Sequence, residues 1–159
     1  MAMDGVGNSA GKSTKNAETG LWGERVAVEW LSAHGYSIVG RRVRPDRHDE
    51  IDIIVRKGDI LAFVEVKTRA SEFFGRPSSA VDARKRHALC RAAAAYLRRL
   101  RYPDLYYRLD IIEVIGRVGD EHPEVRHLED AFRFPPRYRF MRPLPSESKR
   151  RLPAILRLP

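Results

Sequence analysis

Two neighbouring runs, Glu50-Ile51-Asp52-Ile53-Ile54-Val55 and Leu61-Ala62-Phe63-Val64-Glu65-Val66-Lys67, constrain this chain most. Both alternate at period two, the spacing of half-buried β-strands. The link Arg56-Lys57-Gly58-Asp59 is short, polar and contains glycine, so the runs are expected to fold back as a hairpin. One face then carries Ile51, Ile53, Val55, Ala62, Val64 and Val66. Asp52, Glu65 and Lys67 project together on the other face, because side chains alternate along a strand.

Carboxylates opposite or diagonal on paired strands lie roughly 5 to 8 Å apart. A Mg²⁺ ion takes oxygen ligands at about 2.0 to 2.1 Å and favours one or two carboxylates plus water and phosphate. Asp52 and Glu65 are therefore candidate metal ligands, and Lys67 is placed to orient a water and stabilise charge on a phosphate. The bland alternative is a half-exposed hairpin with a surface Glu-Lys pair. Phe63 and Ile54 share the face of these charges, which argues for burial. Buried charges cost several kcal/mol unless they are paired or bind metal.

A third acid lies upstream. Residues 18–34 read as a helix closed by Gly35, a residue suited to the position after a helix end. Leu21, Val28 and Leu31 form one stripe at helical spacing, and Glu24 falls in it. Glu24 either snorkels to solvent or points at the sheet, toward the metal site, directly or through a water.

The ordered series Gly-Leu-Trp-Gly-Glu24-Arg-Val-Ala, Gly35-Tyr36, Glu50-Ile-Asp52-Ile-Ile and Phe63-Val-Glu65-Val-Lys67-Thr-Arg69 resembles the YraN-like family of uncharacterised bacterial proteins. That family is similar to the archaeal Holliday-junction resolvases and the restriction-endonuclease-like, PD-(D/E)XK nuclease superfamily. The likeness continues through Lys85, Tyr96-Leu97, Arg108-Leu109-Asp110 and Asp130-Ala131-Phe132, covering roughly residues 18–134. Ile51 stands where the superfamily's motif name has proline. Arg42 stands where an Asn is expected, and Leu109 where a Phe is expected. The resemblance implies an α/β fold with a mixed sheet flanked by helices. It implies a metal-dependent endonuclease using Mg²⁺ or Mn²⁺, with Asp52, Glu65, Lys67 and Glu24 as catalytic residues and the three acids as the metal shell. It also implies 5′-phosphate and 3′-hydroxyl products, a homodimer, and branched DNA as substrate in repair or recombination. Fold likeness alone does not establish activity. The alternative is a nucleic-acid-binding or partner-docking module on a nuclease scaffold that no longer cuts.

The formal charge of +9 favours polyanionic partners, DNA first and RNA on the same argument. Arg69, Lys85, Arg137 and Arg139 are the candidate nucleic-acid contacts, although a lysine such as Lys85 on a helix can equally face solvent. No eighteen-residue apolar run suggests a membrane span, no apolar secretory segment opens the chain, and the single Cys90 suits a reducing cytoplasm.

Residues 1–17 are expected to form a disordered lead, residues 18–134 the endonuclease-like domain and residues 135–159 a basic, Pro-rich tail. In that tail Phe134, Tyr138 and Phe140 interleave with arginines, a composition that suits phosphate contact with base stacking. It equally suits a solvated tail across the domain surface. Gly11-Lys12-Ser13-Thr14 looks like the end of a phosphate-binding loop, but Val6 occupies the required glycine position and no strand precedes it. The histidines show no zinc-ligand spacing. His48 reads as a loop residue near Asp52, and Asp110 as a structural carboxylate paired with Arg108 or Arg69.

Overall fold

The computed structural model describes residues 9–71 and 83–138. Its elements run α1 (Ser9–Ala33), β1 (Ser37–Val43), β2 (Ile51–Lys57), β3 (Ile60–Arg69), α2 (Ala83–Arg99), β4 (Tyr106–Ile115), β5 (Glu124–Leu128) and a 3-10 turn at Pro136–Tyr138. The strands form one five-stranded sheet in the order β1-β2-β3-β4-β5. Only β3 and β4 are parallel, and α2 makes the crossover that parallel neighbours require. The molecule is an α/β domain with a mixed sheet and one helix on each face.

The hairpin turns more tightly than its sequence suggested. Lys57 pairs with Ile60, leaving Gly58 and Asp59 as the turn. Gly58 supplies the positive φ of 58° that such a turn needs. The β2–β3 register sets Ile53 opposite Val64 and Val55 opposite Ala62. These four side chains are buried under α1, with Trp22, Val26, Ala27 and Leu31. On the other face Ile54, Phe63 and Leu109 pack against Leu89, Cys90, Ala92, Ala93 and Leu97 of α2. The run of alanines lets α2 lie close to the sheet.

Three sequence expectations change. The segment from Ser9 to Ala17 is helical, extending α1 nine residues beyond the expected start. Its described side chains from Thr14 to Ala17 face solvent, so it carries no apolar stripe for periodicity to detect. Leu21 is 50% exposed, and Trp22 takes its place in the core. Ile51 packs with the α2 cluster rather than with Ile53 and Val55. The paired residues of β2 and β3 end at Ile53 and Val64, and beyond that point simple alternation no longer applies.

The helix end was legible. Tyr36 N–H donates to Leu31 O at 3.0 Å and Gly35 N–H to Ser32 O at 3.2 Å, the paired bonds of a Schellman motif, with Gly35 at φ 80°. Tyr36 and Leu31 are buried in the same cluster. Near this end of α1 lies a buried polar network. Arg108 Nε reaches Asp110 Oδ1 at 2.8 Å, and Arg108 Nη1 reaches Glu129 Oε2 at 2.9 Å. His127 Nε2 lies 2.8 Å from Asp110 Oδ2, and Asp130 N–H donates to Asp110 Oδ1 at 3.0 Å. Asp110 is thus the structural carboxylate the sequence suggested, with Arg108 as its partner.

Gly23 sets how near α1 comes to β3. A Cβ at this position would lie 1.9 Å from Thr68 Oγ1. Gly23→Ala is expected to destabilise the fold by about 1–3 kcal/mol of overpacking, against a helix-propensity gain of about 1 kcal/mol. Gly23→Ala/Thr68→Ala recovers part of the loss. Urea unfolding midpoints of the three proteins check this. Asp110→Ala leaves Arg108 buried without its nearest carboxylate and is expected to cost about 3–5 kcal/mol in the same measurement.

Candidate active site

The end of the β2–β3 pairing places the acids. Asp52 Oδ2 accepts the Val66 amide at 2.8 Å. A side-chain carboxylate thus satisfies an amide next to the last paired residues. Glu65 is 6% exposed. Lys67 Nζ donates to Glu65 Oε1 at 2.6 Å, and Lys85 Nζ of α2 stands 3.7 Å from the same oxygen. The hairpin therefore brings Asp52, Glu65 and Lys67 together as its sequence indicated. Lys85 arrives from α2, so tertiary packing completes the cluster.

Glu24 comes from α1. Its side chain is 13% exposed, and Arg42 Nε stands 4.0 Å from its Oε2. That oxygen is buried without a hydrogen-bond partner. Arg42 also donates to Glu50 Oε1 at 3.2 Å, and Arg44 donates to Glu50 Oε2 at 2.6 Å. Arg42 has φ 48°, in the left-handed region where Asn is several-fold enriched. This explains why an Asn suits that position: the backbone turns over there, whatever side chain follows.

Burial pushes the Asp52 carboxyl up from 3.8 to about 7; the negative charge of Glu65 adds to this, as does that of Glu24. The Val66 amide and Lys67 pull it down only in part. Glu24 is raised as well, first by burial and then by Glu50, with Arg42 acting against them. Burial is thus the first cause at both carboxyls.

Two clefts meet at the acid pair. One, of about 590 Å³, is lined by His48, Asp49, Arg84, Lys85 and Ala88 together with Asp52 and Glu65. The other, of about 360 Å³, is lined by Asn16, Thr19, Glu24, Lys67 and Thr68 together with the same pair. Among the described residues no three His, Cys, Asp or Glu side chains gather as a metal-ligand cluster. Glu24 faces the cleft of Asp52 and Glu65 without joining them as a third clustered ligand. The donors nonetheless fit a hard divalent cation: carboxylate oxygens of Asp52 and Glu65 on shared clefts, and a buried oxygen of Glu24 with no hydrogen bond.

Of the expected nucleic-acid contacts, Lys85 ion-pairs with Glu65. Arg69 is mostly buried, with Nη2 3.7 Å from Glu113 Oε1. Arg137 is exposed and lies over the Tyr138 ring, 5.2 Å from its centroid. Arg139 falls outside the described residues. His48 sits on the loop and lines the larger cleft. The Gly11-Lys12-Ser13-Thr14 run lies inside α1, not in a loop after a strand. Sequence reading missed Glu113, which is 2% exposed and faces Lys67 in the β3–β4 register. Its only signal was a lone acid in the apolar run from Ile111 to Ile115.

The architecture is that of a restriction-endonuclease-like α/β domain, with an acid pair and a lysine just past the last paired residues of its hairpin. The model of the uncharacterised protein family UPF0102 matches residues 23–114. The chain belongs to this family, the YraN-like family of the sequence reading. A UPF0102 protein of Chlorobaculum tepidum is 43% identical over 117 residues, covering 71% of this chain and 90% of the relative. One from Leifsonia xyli is 43% identical over 114 residues, covering 72% and 95%. One from Symbiobacterium thermophilum is 47% identical over 92 residues, covering 58% and 77%. Among the described residues no helix is long and apolar enough to cross a membrane.

The raised pKa of Asp52 has a definite sign in stability. The folded state holds the proton more tightly than the unfolded chain. The contribution to stability is present below pH 3.8 and is lost as pH rises through about 7. In metal-free buffer Asp52→Asn, which can still accept the Val66 amide, is expected to be more stable than wild type at pH 8. The gain is on the order of a few kcal/mol at about 1.4 kcal/mol per pKa unit, and it shrinks toward zero near pH 4. Melting temperatures of both proteins across that range test it.

Proposed function

We propose that this protein is a metal-dependent endonuclease that hydrolyses phosphodiester bonds of DNA with Mg²⁺ or Mn²⁺. The observation that carries this reading is the buried Asp52–Glu65 pair, with Lys67 on Glu65, opening onto two clefts. Asp52 and Glu65 would hold the ion, and Glu24 would act through a water and through its charge. The bound cation supplies Lewis-acid polarisation of the phosphoryl oxygen and a more acidic water.

The protein's own groups do the rest. Lys67 donates to the attacking water and orients it in line with the leaving 3′-oxygen. As the water oxygen bonds to phosphorus, the ammonium of Lys67 stabilises charge gathering on the phosphoryl oxygens. The P–O3′ bond breaks, the water's proton leaves to solvent, and the 3′-oxygen gains a proton. The products are a 5′-phosphate and a 3′-hydroxyl. Lys85, already beside Glu65, is placed to meet a neighbouring phosphate.

Cleavage of a labelled panel (Holliday junction, flap, single strand, duplex, RNA) in Mg²⁺ or Mn²⁺ tests the activity. Wild type is expected to cut at least one substrate. Asp52→Ala and Lys67→Ala are expected to lose at least a hundredfold in rate while keeping gel-shift affinity in Ca²⁺. Independently of cleavage, millimolar Mg²⁺ is expected to raise the melting temperature of wild type and not that of Asp52→Asn, since binding to the folded state alone stabilises it. Binding without cleavage by any version, in either metal, would sink the enzyme and leave a binding module on a nuclease scaffold.

A further inference from the structure

The outer face of α2 carries a pattern that the acid site does not use. Arg84, Ala88, Arg91, Ala95 and Arg98 follow one another at four- and three-residue steps along this helix, so they form one stripe on its surface. Arg84, Arg91 and Arg98 are exposed, and the alanines between them are partly covered. The larger cleft at the acid pair takes in the first part of this stripe, Arg84 to Arg91. A further cleft of about 400 Å³ takes in the second part, Arg91 to Arg98, with Arg99, Asp46 and Tyr138. Arg91 borders both, and its ion pair to Asp49 crosses the seam between α2 and the loop before β2, so a chain running from one cleft to the other passes over that pair.

The walls of this two-cleft groove are built. Arg91 Nε and Nη2 grip Asp49 at 2.9 and 3.0 Å, tying the loop to the helix. Asp46 accepts the amides of His48 and Asp49 at 2.9 and 3.0 Å, which shapes that loop. Both aspartates therefore have internal partners. The acid end carries Arg84 and Lys85 beside Glu50, Asp52 and Glu65, and the far end carries Arg98 and Arg99. Tyr138, half-buried and edge-on to Phe134, stands at the far end as well. The floor is alanine, which leaves the helix surface low between the arginines.

We propose that this groove is a track for a single-stranded polynucleotide, running from the Asp52–Glu65 pair along α2 to Tyr138. Arginines leading to an aromatic ring are how proteins hold single strands without sequence preference, by phosphate contact and base stacking; the basic stretch here is the far cleft, where Arg91, Arg98 and Arg99 outnumber Asp46. The track rests on the nuclease reading only for its direction, since it ends at the acids. It names the substrate as DNA with a single-stranded segment, such as a flap or an overhang.

The test is equilibrium binding in EDTA, where no cleavage occurs, by fluorescence anisotropy. The probes are a labelled twenty-nucleotide single strand of thymidine and a duplex of equal length, from 50 to 300 mM salt. Wild type is expected to bind the single strand more tightly than the duplex. Arg98→Glu/Arg99→Glu is expected to lose at least tenfold in single-strand affinity. Its log–log salt slope flattens by about 1.4, at about 0.7 per lost phosphate contact. Tyr138→Ala is expected to lose about tenfold, the order of one stacked base. The charge-matched control Arg25→Glu/Arg117→Glu, away from α2, stays within twofold of wild type. Wild-type affinity in Arg98→Glu/Arg99→Glu, no single-strand binding by wild type, or tighter binding of duplex would each overturn the track. Groove variants that fail beside a wild type that binds but never cuts would keep the track and overturn only the nuclease.

Discussion

The bond from the Val66 amide to the Asp52 carboxylate organises the acid end of the sheet. It stands where the paired residues of β2 and β3 stop. A backbone amide left there would have to be wetted or wasted. The carboxylate satisfies it, and in doing so is held in a buried place beside Glu65, just past the last paired residues of two strands. Burial there, with Glu65 beside it and against the pull of the amide itself, raises the Asp52 carboxyl to about 7. One contact therefore links the end of a strand pair to the electrostatics of the candidate site.

Burial of like charges is a cost the fold bears and only partly offsets. Lys67 and Lys85 both approach one oxygen of Glu65. Arg42 approaches Glu24 only at 4.0 Å, from a backbone conformation that side chains other than Asn or Asp seldom adopt. The polar network at the other end of α1 is handled differently. There Asp110 meets Arg108, His127 and the Asp130 amide. The contrast separates the two clusters: one is closed on itself, and the other retains an unbonded buried oxygen beside open clefts. Strain of that kind concentrates at functional sites.

Much of the fold was legible because its signals are local. Period-two runs became β2 and β3, the glycine-containing link became the turn, and Gly35 became the helix end. The errors also have physical causes. Periodicity placed Leu21 in the core, yet Trp22 is buried there, because the close approach at Gly23 decides which side of α1 meets the sheet. Ile51 left the face of Ile53 because alternation is a property of a regular ladder, and the β2–β3 ladder ends just before it. The solvated start of α1 has no apolar stripe to reveal it.

The amino-acid sequence by itself determined the strands, the hairpin and the projection of Glu65 and Lys67 on one face of β3, while Asp52 comes beside them past the end of the β2–β3 ladder, at the Val66 amide. A two-residue period and a short turn leave little freedom in where those side chains project. Only the tertiary structure decided that Lys85 joins Glu65, that Glu24 faces the cleft of the acid pair, and that the arginines of α2 border a groove. Those relations join residues far apart in the chain, and they depend on helix placement, which burial and close packing set over the whole sheet.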